Sequence, residues 1–444
     1  MKKIKSGKAI AMEHISLQYG TTTIGIDIED ANSIKYLHEN EMSVINDIKN
    51  EFQRSVTEGV IDSKPLKEIL QKEDKVTIVI SDMTRFWTRQ DILCQLLVEY
   101  LNEKMEIPFE NMVVVIALGS HRANTEEEKE KLASKYVYEN VKVVDHDCLA
   151  EDLVYVGTTP LGTKVSVNSL AVGRKVICIG GTIHHIMAGY GGGRKSIVPG
   201  IASKETIRMN HERALDPEKA MSDVRVGSGK MSENPINLDM YEAGKLVDVV
   251  FGINIVMESS GKHSGLFCGN FDSAWRESCR YVQKGYGLPI DYEADIVIAS
   301  CGGFPKDINL YQSTKTLFNA TKAVKKGGTL VILAQCDEGG GAKDFFDWAE
   351  PLKEGRLDQE LRKNFTIGGY IFYAACEALG KAKTYLISKI EPDLVAPMGF
   401  IASEDAKEIF AKVDFKDKDV YVMAHGGSVM PQLKDDYESL CKDI

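Results

Sequence analysis

Residues 75–81 read KVTIVIS, and this run decides the fold class. Val76, Thr77, Ile78, Val79 and Ile80 are β-branched without a polar break. Such a run reads as a strand covered on both faces, the pattern of a parallel sheet buried under helices. Outward from it, TRQDILCQLLVEYLNEK (88–104) has a helical pattern and NMVVVIALGS (111–120) is a second buried-strand run. TEEEKEKLASKYV (125–137) is a charged helix, and VKVVDHD (141–147) and KVICIGG (175–181) continue the alternation. Strand–helix–strand alternation builds parallel crossovers, so the class is α/β.

The chain turns more polar after VDVVFGINIVMESSG (247–261), and GYGLPIDYEADIVIAS (285–300) places Gly, Pro and acidic residues ahead of a new strand. A boundary is expected near 285–292. ADIVIASC, GTLVILAQC, TYLIS and DVYVMAHGG then repeat the α/β style. The expectation is two α/β domains, 1–288 and 289–444, with mainly parallel sheets and a cleft between them. The 444-residue length agrees, at ~150 residues per domain.

With 54 basic against 65 acidic residues, the formal charge is −11. That balance argues against a broad basic face for nucleic acid. No apolar run reaches the ~18 residues of a membrane span, and MKKIKSGKAIAMEHISL lacks the apolar centre of a secretory signal. The nine cysteines form no C-x-x-C pair, and several lie in apolar runs. They read as reduced thiols, so a cytoplasmic location is expected.

Ligands of open parallel sheets bind where strands end. SDMTR (81–85), ALGSHR (117–122), HHIMAGYGGGRKSIVPG (184–200) and CGGFPKDINLYQSTK (301–315) all follow strand runs, and they carry Asp, Arg, His and Lys. GYGGGRK (189–195) is the densest glycine cluster. It is not a triphosphate loop, since Arg194 stands where G-x-x-x-x-G-K-S/T needs glycine. It also fails G-x-G-x-x-G at the sixth position. His121, His184, His185 and His211 lie in or near these loops. His211 has Glu212 beside it but no second His four residues away, so a zinc hydrolase is a poor fit.

Taken together, SDMTR, ALGSHR, HIMAGYGGGRKSIVPG, the downstream NHE and GGFPKDINLYQSTK resemble the nickel-dependent lactate racemase family. The order is shared, with Lys195 ten residues after His185 and His211 sixteen after Lys195. The resemblance implies a racemase or epimerase of 2-hydroxy acids. It implies a nickel-pincer nucleotide, a pyridinium-3-thioamide-5-thiocarboxylic acid mononucleotide, covalently bound at Lys195 with His211 as the protein ligand to nickel. His121 and His185 match the acid–base pair. Asp82, Gly192 and Gly193 match cofactor-lining positions, and Arg85, Tyr311, Gln312 and Lys315 match substrate-binding ones. The implied partners are a small 2-hydroxy acid and separate cofactor-maturation proteins, with neither nucleic acid nor membrane.

Departures from the family pattern concern the substrate. Phe86 and Trp87 follow SDMTR where Pro is common, Met187 stands near His185, and GGG replaces SGG at 191–193. The two aromatics either add bulk near a carboxylate site or pack beneath the loop. Two other readings remain: a non-catalytic anion- or nucleotide-binding protein, and a metal-dependent hydrolase using the same cleft.

Overall fold

A computed structural model describes residues 10–341 and 344–444. The chain divides into two compact units, and neither is continuous in sequence. Of the described residues, one contains 41–217, 223–283 and 443–444; the other contains 10–40, 218–222 and those within 284–442.

The unit holding KVTIVIS is built on a six-stranded sheet. Its spatial order is His263–Gly269, Val249–Met257, Lys175–Gly181, Val76–Ser81, Met112–Ala117 and Lys142–Asp145. Every neighbouring pair is parallel except the antiparallel edge pair formed by His263–Gly269. Both faces are covered, as the unbroken β-branched runs require: Ile78 and Val79 point to opposite faces and both are fully buried. The strand Val76–Ser81 is the first of the parallel strands yet lies inside the sheet. The chain goes one way to Met112–Ala117 and then crosses back to Lys175–Gly181 on the other side. That reversal is a topological switch point, where diverging loops leave a crevice at the carboxyl ends of the strands.

The second unit carries a six-stranded, all-parallel sheet in the order Phe400–Ser403, Lys383–Ile387, Val324–Leu333, Ala294–Ser300, Asp419–Met423 and Ser33–Tyr36. The edge strand Ser33–Tyr36 comes from the start of the chain. The preceding hairpin, Ile10–Tyr19 with Thr22–Ala31, buries Ile15, Leu17, Ile26 and Ile28 in the same apolar cluster as Ile298, Val331 and Val422. A first domain running unbroken from 1 to 288 therefore differs from the observed division: residues 10–40 group with the later half. The physical reason is sheet pairing at long sequence separation, which no local pattern encodes. The short segment 218–222 also belongs to this unit, with the Ser222 N–H donating to the Glu377 carboxylate at 2.9 Å.

The class is α/β with mainly parallel sheets, as read from the sequence. The helical pattern expected over 88–104 is an α-helix at Gln90–Glu99 running into a π turn at Tyr100–Lys104, preceded by a 3-10 turn at Met83–Thr88.

Candidate active site

The first site loop leaves the sheet at Ser81. Gln90, fully buried, clamps that strand end: its amide donates to Ser81 O at 2.6 Å, and its Oε1 accepts from Ser81 N at 3.0 Å. The clamp fixes the 3-10 turn that presents Asp82 and Arg85. Asp82 is buried, and its Oδ2 lies 2.7 Å from Nδ1 of His121, from the loop after the neighbouring strand. Thr84 Oγ1 donates to Asp82 Oδ1 at 2.7 Å. Burial alone would raise this carboxyl. The hydrogen bonds from His121 and Thr84, with the charges of His121 and Arg85, bring it below the usual carboxylate range. Arg85 makes its own hydrogen bonds to Thr84, from Nη1 to the carbonyl at 3.2 Å and to Oγ1 at 3.0 Å.

The His121 loop is tied in turn to the lysine loop, since Gly119 N–H donates to Gly200 O at 2.9 Å. The glycine cluster folds over the end of strand Lys175–Gly181. Gly192 (φ +69°) and Gly193 (φ +46°) occupy the left-handed region that glycine favours. A Cβ on Gly192 would stand 2.8 Å from Gly181 O, and one on Gly193 2.3 Å from Trp275 Cγ. Trp275 Nε1 donates to Gly191 O at 2.8 Å, so the indole both supports and orients the loop.

Arg194 extends that support. It is 1% exposed, held between the rings of Tyr241 and Trp275 at 4.5 and 4.7 Å. It donates from Nε to Asp272 at 3.0 Å and from Nη1 to Asn237 Oδ1 at 2.7 Å. With Arg194 directed into the protein, its neighbour Lys195 is presented elsewhere. Burial, and then the Arg85 guanidinium, push the Lys195 amine down to about 7. Part of the residue meets solvent, so the loss of hydration is local to the ammonium end.

His211 ends the helix Lys204–His211, which Ser203 caps by accepting from Thr206 N. Its ring is 2% exposed, and Nδ1 lies 3.0 Å from Ile207 O, which can only accept. Nδ1 therefore carries the hydrogen and Nε2 the lone pair. Burial, and then the Lys195 charge, hold this imidazole down to about 3, against the opposing effect of the Ile207 bond. It is neutral at neutral pH, as a metal ligand must be. The helix is held by Asp239, fully buried, which accepts from Asn210 Nδ2 and Thr163 Oγ1, both at 2.8 Å, and from Thr159 Oγ1 at 2.6 Å.

His185 sits in the hairpin His184–His185 with Gly189–Tyr190. Its Nδ1 accepts from the N–H groups of Met187 and Ala188, both at 3.2 Å. His184 is engaged structurally: Nε2 lies 3.0 Å from Gln283 Oε1, and the ring stacks on Tyr190 with centroids 5.0 Å apart.

Asp82, Arg85, His121, His185, Gly192, Gly193, Lys195 and His211 thus belong to one unit. Tyr311, Gln312 and Lys315 belong to the other, on the first turns of helix Leu310–Ala323. There Lys315 Nζ donates to Gln312 Oε1 at 2.7 Å, and Tyr311 meets Phe345 edge to face at 6.3 Å. Phe86 packs against the apolar core with Lys131 Nζ 4.5 Å from its ring centroid, while Trp87 stays 41% exposed. The two aromatics therefore take different places. Sequence reading missed Gln90, Arg194, Asp239, Asp272 and Trp275; all but Gln90, whose partner is nearby Ser81, act through partners far away in the chain. Only Arg194 carried a local signal, being a cation in the densest glycine cluster.

The residues present fit a tethered organic group, with an amine of lowered pKa at Lys195 and a neutral imidazole at His211. Among the described residues, no group of three or more His, Cys, Asp or Glu side chains is placed to hold a metal ion. Next to the buried neutral imidazole of His211 stands one amine of lowered pKa, and beside them a glycine turn that side chains would obstruct.

Two domain profiles match the chain: the lactate racemase N-terminal domain over residues 19–222 and the lactate racemase C-terminal domain over 290–430. The chain is 32% identical over 346 residues to a lactate racemase of Thermoanaerobacterium thermosaccharolyticum, covering 77% of this chain and 79% of that protein. It is 30% identical over 341 residues to one of Lactiplantibacillus plantarum, covering 76% and 78%. Among solved structures, the lactate racemase apoprotein of T. thermosaccharolyticum superposes with a TM-score of 0.83 at 28% identity, over 95% of this chain and 100% of that one. A Thermotoga maritima protein at 18% identity and TM-score 0.63, over 87% and 97%, shares the fold. The chain belongs to the lactate racemase family and is an isomerase of the racemase type.

Proposed function

We propose that this racemase inverts a 2-hydroxy acid, lactate or a homologue, by reversible hydride transfer at Cα. The observation that carries this reading is the pairing of Lys195 with His211. An amine brought down to about 7 has a large nucleophilic, uncharged fraction at neutral pH. The neighbouring imidazole keeps Nε2 as a lone pair because Ile207 O takes the Nδ1 hydrogen. These are the groups needed to tether a nickel-pincer nucleotide covalently and to ligate its metal, with Gly192 and Gly193 leaving room for close backbone approach. Bound there, the nucleotide supplies the hydride acceptor that a weakly acidic Cα–H requires.

The chain's own residues do the rest. His121 and His185 meet the hydroxyl oxygen and manage its proton. Asp82 orients His121, a more specific role than lining the cofactor. Arg85 takes the substrate carboxylate by a two-pronged contact. Lys315, Gln312 and Tyr311 are assigned to substrate binding by the family resemblance alone. The lack of a protein-only metal cluster among the described residues argues against the hydrolase alternative. Maturation proteins would supply the cofactor, in the cytoplasm; among the described residues no helix is long and apolar enough to cross a membrane.

The test is the chain coexpressed with pincer-maturation enzymes. Intact mass should show a covalent adduct that Lys195→Ala removes, with nickel bound. Racemisation is then measured on lactate, malate, 2-hydroxybutyrate and gluconate. Inactivity on all four by adduct-bearing protein would overturn the substrate class.

A further inference from the structure

We propose that Trp87 sets the substrate specificity of this racemase: its indole receives the side chain of the 2-hydroxy acid, and the preferred substrates carry a branched-alkyl or aryl group in place of the methyl of lactate. This deepens the proposed function and rests on it, since Arg85 must hold the carboxylate.

The 3-10 turn Met83–Thr88 sorts its side chains by position. With three residues per turn, side chains three apart eclipse. Met83 and Phe86 share one side and pack against the apolar core. Thr84 and Trp87 share another, and both are exposed. Thr84 Oγ1 donates to Asp82 Oδ1 at 2.7 Å and accepts from Arg85 Nη1 at 3.0 Å. The indole thus shares its face of the turn with the hydroxyl that holds the guanidinium. Thr88 Oγ1 donates to Arg85 O and Arg89 N to Phe86 O, both at 2.9 Å, so the turn is closed in this register.

The far edge of the indole reaches the glycine turn. Trp87 Cη2 lies 3.8 Å from where a Cβ on Gly181 would stand, at the end of strand Lys175–Gly181. Gly181 O is also the atom that a Cβ on Gly192 would approach to 2.8 Å. One strand end therefore meets both the indole and the turn that carries Lys195. Among the described residues of the strand-end loops 81–90, 117–125 and 182–200, Trp87 is the one large apolar side chain left exposed, at 41%.

The chemistry of the substrate calls for such a surface. Of the four substituents on Cα, the carboxylate has Arg85, the hydroxyl has the histidine pair, and the hydrogen has the hydride acceptor. The side chain has no partner yet. A racemase must accept both hands of its substrate, so a directional contact to this group would favour one of them. Apolar contact with a flat ring is non-directional, and its strength grows with the area covered. A methyl covers little of an indole; a branched chain covers more, and an aryl ring can stack on it. The second carboxylate of malate or the hydroxyls of gluconate would lose hydration there and gain no hydrogen bond.

In adduct-bearing wild-type enzyme, kcat/KM for 2-hydroxy-4-methylpentanoate should exceed that for lactate by about tenfold or more. 2-Hydroxybutyrate should fall between them, and malate and gluconate below. W87A carrying the same adduct should cut the ratio of branched acid to lactate by about fivefold or more, and W87F should restore most of it. An equal ratio in W87A and wild type, or a wild-type preference for lactate, would overturn the proposal while leaving the proposed function standing.

Fluorescence gives a reading that does not depend on turnover. Of the three tryptophans, Trp275 and Trp348 are buried, so acrylamide quenching reports on Trp87. 2-Hydroxy-4-methylpentanoate should shield it more than lactate does at the same concentration. Equal shielding would count against the indole as the side-chain surface. Wild-type enzyme that turns over none of these acids would refute the proposed function, and the quenching would still decide whether an apolar acid lies on Trp87.

Discussion

At the scale of single residues, the site depends on groups kept away from their ordinary protonation. Lys195 is the clearest. Its amine is brought from 10.5 to about 7 by burial and by Arg85, so at pH 7.5 it should be acylated by acetic anhydride faster than the surface lysines. Peptide mapping after limited labelling checks this, and Arg85→Met should slow the labelling least at high pH, where the amine is neutral in either protein. The stability linkage has a definite sign. Between pH 7 and 10.5 the unfolded chain binds this proton and the folded chain does not, so stability rises with pH through that window. Lys195→Met should flatten that rise in urea titrations. Asp82 has the same sign of linkage in a more acidic window: its carboxyl lies below the usual range in the fold, so the unfolded chain takes up this proton first as pH falls. Its contribution is present above pH ~4 and disappears as acid protonates it. Asp82→Asn should remove this acid sensitivity and, in loaded enzyme, lower turnover by about 10²-fold through loss of His121 orientation.

At the scale of elements, the glycine turn and its aromatic support act together. Gly193→Ala would force a left-handed φ and drive a Cβ to 2.3 Å from Trp275 Cγ. Gly162→Ala makes the comparison: it also has positive φ (+87°) but meets nothing within 4 Å. The first should cost about 2–4 kcal/mol and the second about 1 kcal/mol in chemical denaturation. Equal costs would mean that Trp275 yields without penalty. Arg194→Met removes a buried cation and leaves Asp272 with Arg276, 2.9 Å away, as its remaining partner. Breaking buried pairs costs about 3–5 kcal/mol; the retained Arg276 argues for the low end, near ~3 kcal/mol. Phe86 and Trp87 show how a local signal divides. One helps cover the core and the other is open to solvent, so Trp87→Ala should change substrate preference with less effect on stability than Phe86→Ala.

At the scale of the molecule, each unit is assembled from separated stretches of chain. Deleting residues 1–36 would leave Asp419–Met423 as the new edge strand and remove Ile15, Leu17, Ile26 and Ile28 from their cluster. Hydrogen exchange at Val420 and Val422 should then accelerate by orders of magnitude, while protection at Ile78 and Val79, in the other unit, should change little. The C-terminal residues make a similar return: Asp443 accepts from Met231 N at 2.6 Å, and Ile444 O from Arg280 at 2.9 Å.

By itself the sequence determined the fold class and most of the candidate residues. Continuous β-branched runs can be buried only in covered strands, and polar residues after such strands have few other places to go. Lys195, His211, His121 and His185 were singled out through the family resemblance of the motifs around them. What only the tertiary structure decided was which atoms face one another. Asp82 and His121 are 39 residues apart, Arg194 and Asp272 are 78 apart, and Ser33 pairs across nearly the whole chain with Asp419. Hydrogen bonds between distant segments depend on sheet order and loop direction, which leave no periodic trace in the chain. The hydrogen position on His121 depends on such a contact too: only Asp82, brought beside the ring by the fold, determines which nitrogen holds the hydrogen.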